Sequence, residues 1–93
     1  MVAPINNSIN QKTIKLLQQE KEGKYAFDGQ FVVTGNAIDK FGHEVIAAAC
    51  IILLKKVKEK GGLDYLQVFE IDGEKLWFID DVLHVTCLLP EDY

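Results

Sequence analysis

Few residues of this 93-residue chain have the types and spacing that chemistry requires, and the first are His43 and Glu44. A histidine followed by a glutamate is the first half of a helical zinc-protease motif, whose second histidine comes four residues after the first. That position is Ala47, so one of the two histidine ligands is missing. We therefore predict no metal site and no cofactor here, and we expect Glu44 to lie at the N-terminus of a helix, where the helix dipole favours a carboxylate.

A second set comprises Asp80, Asp81 and His84. Two carboxylates beside a histidine are suited to binding a metal ion or small ligand, or to the acid–base work of a hydrolase. Adjacent residues of a strand point to opposite faces, however, so the two aspartates share a ligand only if the chain bends there. A turn between two strands uses the same residue types. A small-ligand-binding, metal-binding or hydrolytic cleft near these three residues is therefore kept as the alternative hypothesis for the function. The purely structural explanation of the same residues is a turn between two strands.

The two cysteines, Cys50 and Cys87, each lie inside an apolar run. They lack the spacing of a disulfide scaffold or a zinc site. We interpret them as small buried hydrophobic residues. With no catalytic cluster elsewhere, the sequence favours a protein that is not an enzyme.

Charge and hydropathy exclude two classes of partner. All ten basic residues are lysines, and the net charge is -4. An acidic chain without arginine is a poor binder of nucleic acid, because basic contacts to phosphate supply most of that affinity. The longest apolar run, residues 45–54, is half of the roughly 20 residues that a membrane span needs. Residues 1–7 lack the order of a signal peptide, so we predict a cytoplasmic location.

The positions of these residues depend on the elements that carry them. We predict a flexible tail over residues 1–7 and a single α+β domain over residues 8–93. The domain begins with a short helix from Ser8, which forms a capping box with Gln11, to Gly23. A long apolar helix starts between Ala37 and Phe41 and continues to residue 60.

Two Asp-Gly pairs predict hairpins, since both residues tolerate positive φ. The first pair, Asp28-Gly29, would join strands over residues 24–27 and 30–34. The second, Asp72-Gly73, would join strands over residues 63–71 and 74–79, and a last strand covers residues 83–89. The expected fold is an antiparallel sheet of about five strands packed against the long helix, plus the shorter N-terminal helix.

The second hairpin has apolar residues on both faces. We interpret Tyr65, Phe69, Trp77 and Ile79 as anchors of a partner-binding surface, because aromatic residues dominate interaction hot spots. Two arrangements stay open: the first helix covers the second face of the sheet, or that face is left for a partner. The leading hypothesis is a small non-catalytic binding or regulatory protein that acts through protein–protein contact, with a homodimer as one form.

Three stretches resemble a known family: residues 31–35, residues 63–70, and residues 77–81 through 88–93. They are similar to a small group of uncharacterised proteins from Gram-positive bacteria and their phages, catalogued as a staphylococcal domain of unknown function. The resemblance covers the C-terminal two-thirds of the chain. It implies a compact α+β fold and a bacterial or phage-related setting, and it transfers no active-site residue. The segment before the Ile-Asp-Asp strand is longer in that family and is reduced here to residues 72–75.

Overall fold

The computed structural model describes residues 13–93, which form a helix layer and a sheet layer. The α+β class is therefore confirmed. The predicted tail over residues 1–7 lies outside the described residues. The elements in chain order are β1 (Ile14–Leu16), β2 (Gln30–Val33), α1 (Gly35–Lys60), β3 (Leu66–Ile71), β4 (Glu74–Asp80), β5 (His84–Leu88) and a 3₁₀ turn (Pro90–Asp92).

The five strands form one mixed sheet in the order β1-β3-β4-β5-β2. The number of strands is as predicted, but the sheet is not purely antiparallel. Strand β2 pairs with β5 in parallel, and the other three pairs are antiparallel. The reason is the connection: α1 carries the chain from β2 at one edge to β3 on the far side of β4 and β5. Strands β2 and β3 then run in the same direction, whereas a hairpin joins antiparallel strands. Because β3 and β5 are each antiparallel to β4, β2 is also parallel to β5.

The hairpin predicted at Asp28-Gly29 is wrong. Residues 24–27 form no strand, and Tyr25 makes a single isolated bridge with Leu63, with N···O distances of 2.9 and 3.0 Å. Phe27 instead turns into the core, where it is fully buried with a φ of 52°. Burial of this large ring outweighs the local turn preference of the dipeptide.

The prediction of a short N-terminal helix is also wrong for residues 13–23, the part of it that the structure describes. Residues 14–16 are β1, which pairs with β3 so that Ile14 faces Ile71 and Leu16 faces Phe69. Residues 17–23 form neither helix nor strand. The ladder of β3 offers backbone hydrogen bonds that outweigh a modest helix preference. Residues 8–12 of the predicted helix lie outside the described residues.

The second hairpin is confirmed. Strands β3 and β4 are joined by the two residues Asp72 and Gly73, with φ values of 51° and 84°. Positive φ at both central positions is the type I′ geometry, whose twist matches that of the flanking strands. The two-residue loop fixes the register, so Trp77 lies opposite Val68.

Helix α1 begins two residues before the predicted range and ends at Lys60 as predicted. The Thr34 hydroxyl oxygen caps it by accepting the Ala37 N–H at 3.2 Å, and Gly61 ends it in the left-handed conformation. Gly42 interrupts the helix with φ 83° and ψ 159°, a conformation that is nearly restricted to glycine. The helix is not buried on all sides, because Ile51 is 69% exposed on its outer surface.

The core lies between α1 and one face of the sheet. It consists of Phe27, Ala37, Val45, Ile46, Ala49, Leu53, Phe69, Ile71, Leu76, Phe78, Val85, Cys87 and Leu89. Across residues 13–93, no helix has the length and apolar character needed to cross a membrane.

Candidate functional site

Asp80 faces the helix layer and is only 4% exposed. Its Oδ2 accepts the Phe27 N–H at 2.8 Å, and its Oδ1 accepts the Val82 N–H at 2.7 Å. Both donors have positive φ, which bulky L-residues rarely adopt. The carboxylate therefore holds two strained stretches of backbone in place, and both of its oxygens are occupied.

Asp81 and His84 close the turn between β4 and β5. The Asp81 Oδ1 accepts the His84 N–H at 2.7 Å, and the Asp81 N–H donates to the His84 carbonyl at 3.0 Å. The imidazole Nδ1 is 3.9 Å from the same carboxylate oxygen, and both side chains are exposed.

The structure does not bring Asp80, Asp81 and His84 into one cleft. Asp80 lines a shallow, open concavity of about 370 Å³, and neither Asp81 nor His84 lines it. Within residues 13–93, no group of three or more His, Cys, Asp or Glu side chains is placed to hold a metal ion. The three residues thus stabilise the turn between β4 and β5, which is the structural explanation that the sequence left open beside the cleft.

The two thiols are poor nucleophiles in this environment. Burial, with a smaller contribution from the neighbouring Cys50, raises the pKa of Cys87 to about 12. Burial also raises the pKa of the half-buried Cys50. The reactive form of a cysteine is the thiolate, so neither side chain is activated at neutral pH.

A larger groove of about 750 Å³ lies between residues 16–23, the end of α1 and the start of β3. Its rim carries lysines and carboxylates in equal number. Histidine, cysteine and hydroxyl side chains are absent from the described residues that line it. These residues therefore offer no thiol, hydroxyl or imidazole group.

The sheet face opposite α1 has a different character, and we call it the open face. The strand register arranges its side chains in transverse rows. One apolar row is Val68, Trp77 and Leu88. The next row is Leu66, Ile79, Thr86 and Val32. Six of these seven side chains are apolar, whereas a sheet with one solvated face normally alternates apolar and polar residues.

Polar rows border the open face at both ends. At one end Lys15, Glu70 and Lys75 lie side by side on β1, β3 and β4, with the Lys75 ammonium 3.8 Å from the Glu70 carboxylate. At the other end His84 lies beside Gln30. An apolar centre within a polar rim is the anatomy of a protein–protein interface.

The 3₁₀ turn Pro90–Asp92 and Tyr93 approach one side of the open face. Tyr93 contacts Trp77 edge to face, with ring centroids 5.7 Å apart. Tyr93 is itself 82% exposed, so it covers little of the face. Leu88 is only 6% exposed, so this end of its row is already covered within the chain. Leu66, Val68, Trp77 and Ile79 are partly exposed.

Two of the four predicted anchors lie on the open face. Trp77 and Ile79 belong to its central strand. Phe69 does not, because it lies on the other side of β3, fully buried against Phe78. Tyr65 precedes β3 and contacts Tyr25, with ring centroids 6.3 Å apart. It belongs to neither apolar row.

Sequence reasoning missed four members of the face: Leu66, Val68, Leu88 and Val32. The signal was present for the first two. A two-residue turn at Asp72-Gly73 places Val68 opposite Trp77 and Leu66 opposite Ile79. Leu88 and Val32 follow only from the pairing of β5 with β4 and β2, which no local signal specifies.

No family model, curated protein or solved structure matches this chain. The resemblance to the staphylococcal and phage proteins stays a prediction.

Proposed function

We propose that this protein is a small non-catalytic binding or regulatory module that acts through protein–protein contact, with the open face as its binding surface. The observation that supports the proposal is the pair of adjacent apolar rows, with the only tryptophan of the chain in their centre. Apolar surface of this kind favours association, because burying it releases roughly 25 cal/mol per Å². Trp77 and Ile79 are the anchors, and Leu66, Val68 and Val32 extend the surface around them.

A cleft function is the weaker candidate. The Asp80 oxygens are already engaged by backbone N–H groups. The described residues that line the larger groove include no histidine, cysteine or hydroxyl side chain. The open face therefore has the stronger physical support.

The test uses two lysine substitutions on the face and a matched one elsewhere. Val32 is 38% exposed on the edge strand β2, so Val32→Lys is compatible with folding, and Ile79→Lys places the charge in the centre. Ile51→Lys makes the same change on the outer surface of α1. Native mass spectrometry of each protein, purified gently from its source cells, reports the bound partner, and circular dichroism reports folding.

We expect the wild-type protein and Ile51→Lys to carry a protein partner that both face variants lose while staying folded. A bare wild-type monomer, a complex that survives both face substitutions, or a monomer carrying only a small ligand would contradict the proposal.

A further inference from the structure

We propose that the larger groove binds a short peptide with free termini, and that the buried carboxamide of Gln67 recognises the peptide backbone. The site is separate from the open face, because Gln67 lies on the side of β3 that faces α1, together with Phe69 and Ile71. Three features support the proposal: the unused hydrogen-bonding groups of Gln67, the way in which the groove is held open, and the charges along its rim.

Gln67 is one of two buried polar side chains within residues 13–93, with an exposure of 3%. The other is Asp80, whose two oxygens both accept backbone N–H groups. Gln67 makes one side-chain hydrogen bond, from its Nε2 to the Asp64 carbonyl oxygen at 3.0 Å. A carboxamide has two hydrogens to donate and two lone pairs that accept. The second N–H and the Oε1 of Gln67 therefore have no partner among the described residues.

The unused groups of Gln67 are directed at the groove, because this side chain is part of its lining. A buried acceptor without a hydrogen bond destabilises a fold, and an apolar side chain would suit this position, which lies opposite the buried Phe78. A ligand that donates to Oε1 and accepts from Nε2 completes the hydrogen bonds of Gln67. The N–H and C=O groups of a peptide backbone supply both kinds of partner.

The outer wall of the groove is attached to the rest of the fold at both ends. At one end the Leu17 N–H donates to the Val68 carbonyl oxygen at 2.9 Å. At the other end Tyr25 and Leu63 exchange two backbone hydrogen bonds of 2.9 and 3.0 Å. Residues 18–22 line the groove between these attachments and form neither helix nor strand. The backbone thus defines the groove before a ligand binds, so binding requires little ordering of the chain.

The size and charge of the groove indicate a short peptide. Its volume of about 750 Å³ lies in the range of roughly 300–1,000 Å³ that small-molecule sites have, and a single amino acid would fill only a small part of it. The rim has three ammonium groups and three carboxylates, which belong to Lys21, Lys56, Lys60, Glu20, Glu22 and Asp64. A peptide with free termini carries one charge of each sign with amide groups between them. A purely anionic ligand would instead face the three carboxylates.

Lys60 is the lysine best suited to the peptide carboxylate. The Lys56 ammonium is 3.6 Å from the Glu59 carboxylate, whereas Lys60 makes no ion pair within residues 13–93. Lys58 lies in the same last turn of α1 but does not line the groove. Lys58 therefore provides a matched control for substitutions at Lys60.

The test is affinity selection by the full-length protein. The protein is mixed with a random library of tetrapeptides that have free termini, together with the free amino acids. Size-exclusion chromatography separates the bound fraction, and mass spectrometry identifies it. We expect the wild type to retain a subset of the tetrapeptides, and isothermal titration calorimetry then gives the Kd of the best of them.

Gln67→Leu tests the recognition group. It should weaken binding of the selected peptide by about tenfold or more, because the ligand loses its partner for both backbone groups. Its midpoint of urea unfolding should equal or exceed that of the wild type, since an apolar side chain replaces a buried amide with unused groups. A purely structural glutamine would lower the midpoint instead. Val32→Lys, on the open face, should bind the peptide as the wild type does.

Lys60→Gln tests the end of the ligand. It should weaken binding by about two- to fivefold, which is typical of an exposed ion pair, and Lys58→Gln should leave the Kd unchanged. Amidation of the peptide's C-terminus removes its carboxylate. The wild type and Lys60→Gln should then bind the amidated peptide equally.

Three outcomes would overturn the inference: a wild type that retains no tetrapeptide, a wild type that retains only free amino acids, or equal affinities of the wild type and a folded Gln67→Leu. If Gln67→Leu fails to fold, the two lysine variants decide the question, because equal affinities of Lys60→Gln and Lys58→Gln would exclude the groove as the peptide site.

Discussion

A single buried carboxylate can fix the path of the backbone through hydrogen bonds, and Asp80 does so. Its two oxygens accept backbone N–H groups from Phe27 and Val82, which are 53 and 2 residues away in the sequence. The contact with Phe27 joins the segment before β2 to the end of β4. Because both donors have positive φ, the turn geometry depends on this side chain rather than on glycine.

We expect Asp80→Ala to lower the free energy of unfolding by about 2–4 kcal/mol, because it leaves the buried Phe27 N–H and the Val82 N–H without an acceptor. Urea denaturation measures the effect. Asp81→Ala is the matched control: its carboxylate is exposed and its hydrogen bond to His84 is open to water, so the loss should stay below about 1 kcal/mol. If Asp80→Ala and Asp81→Ala lowered the free energy of unfolding equally, the structural role of Asp80 would be contradicted.

The start of helix α1 and the C-terminal turn are tied together through Asp92. Its carboxylate accepts the Thr34 hydroxyl and the Asn36 amide, both at 2.7 Å, and the Leu89 N–H at 3.1 Å. Hydrogen bonds from Asn36, then Thr34, then Leu89 hold the pKa of the Asp92 carboxyl below its ordinary value. The same Thr34 hydroxyl caps α1, so the turn after β5 stabilises the helix that precedes β3.

This network makes part of the stability dependent on pH. A carboxyl whose pKa is lower in the folded chain stabilises the fold above its unfolded pKa of about 3.9, and the contribution is lost as the pH falls through the lower folded pKa. Asp92→Asn should therefore be less stable than the wild type at neutral pH, and the difference should narrow as the solution becomes strongly acidic. Urea denaturation across this pH range measures it.

Glu91→Gln serves as the control for Asp92, since Glu91 is exposed in the same turn. The difference in the free energy of unfolding between Glu91→Gln and the wild type should change less with pH than the difference for Asp92→Asn. If the Asp92→Asn difference were constant or grew toward acid, the hydrogen bonds to Asp92 would not favour its ionised form.

On the scale of the whole fold, α1 covers one face of the sheet within residues 13–93, and the open face is the proposed binding surface. A partner that binds only the folded state stabilises it by mass action. If the chain forms a homodimer through the open face, the melting temperature of the wild type should rise with protein concentration, as measured by calorimetry. Val32→Lys should melt at a temperature independent of concentration, and Ile51→Lys should follow the wild type. A wild-type melting temperature independent of concentration would contradict self-association.

The sequence by itself determined the elements whose geometry is local. The Asp72-Gly73 turn, the end of α1 at Gly61 and the extent of the long apolar helix each depend on residues a few positions apart. Positive φ at a turn and helical spacing of apolar side chains are energetic preferences of a short segment, so they can be read without the rest of the chain. Trp77 and Ile79 were found for the same reason, because they alternate along one predicted strand.

The tertiary structure decided what depends on distant partners. Residues 14–16 became a strand because β3 had a free edge. Strand β2 became parallel to β5 because α1 carries the chain from β2 across the sheet to β3. Phe69 was removed from the candidate surface by the register of β3, which sets it under the helix. Backbone pairing and burial act between segments some 50 residues apart, and their free energies exceed the small local propensities that a sequence displays. The open face exists only in the folded sheet, since its two apolar rows combine side chains from four strands.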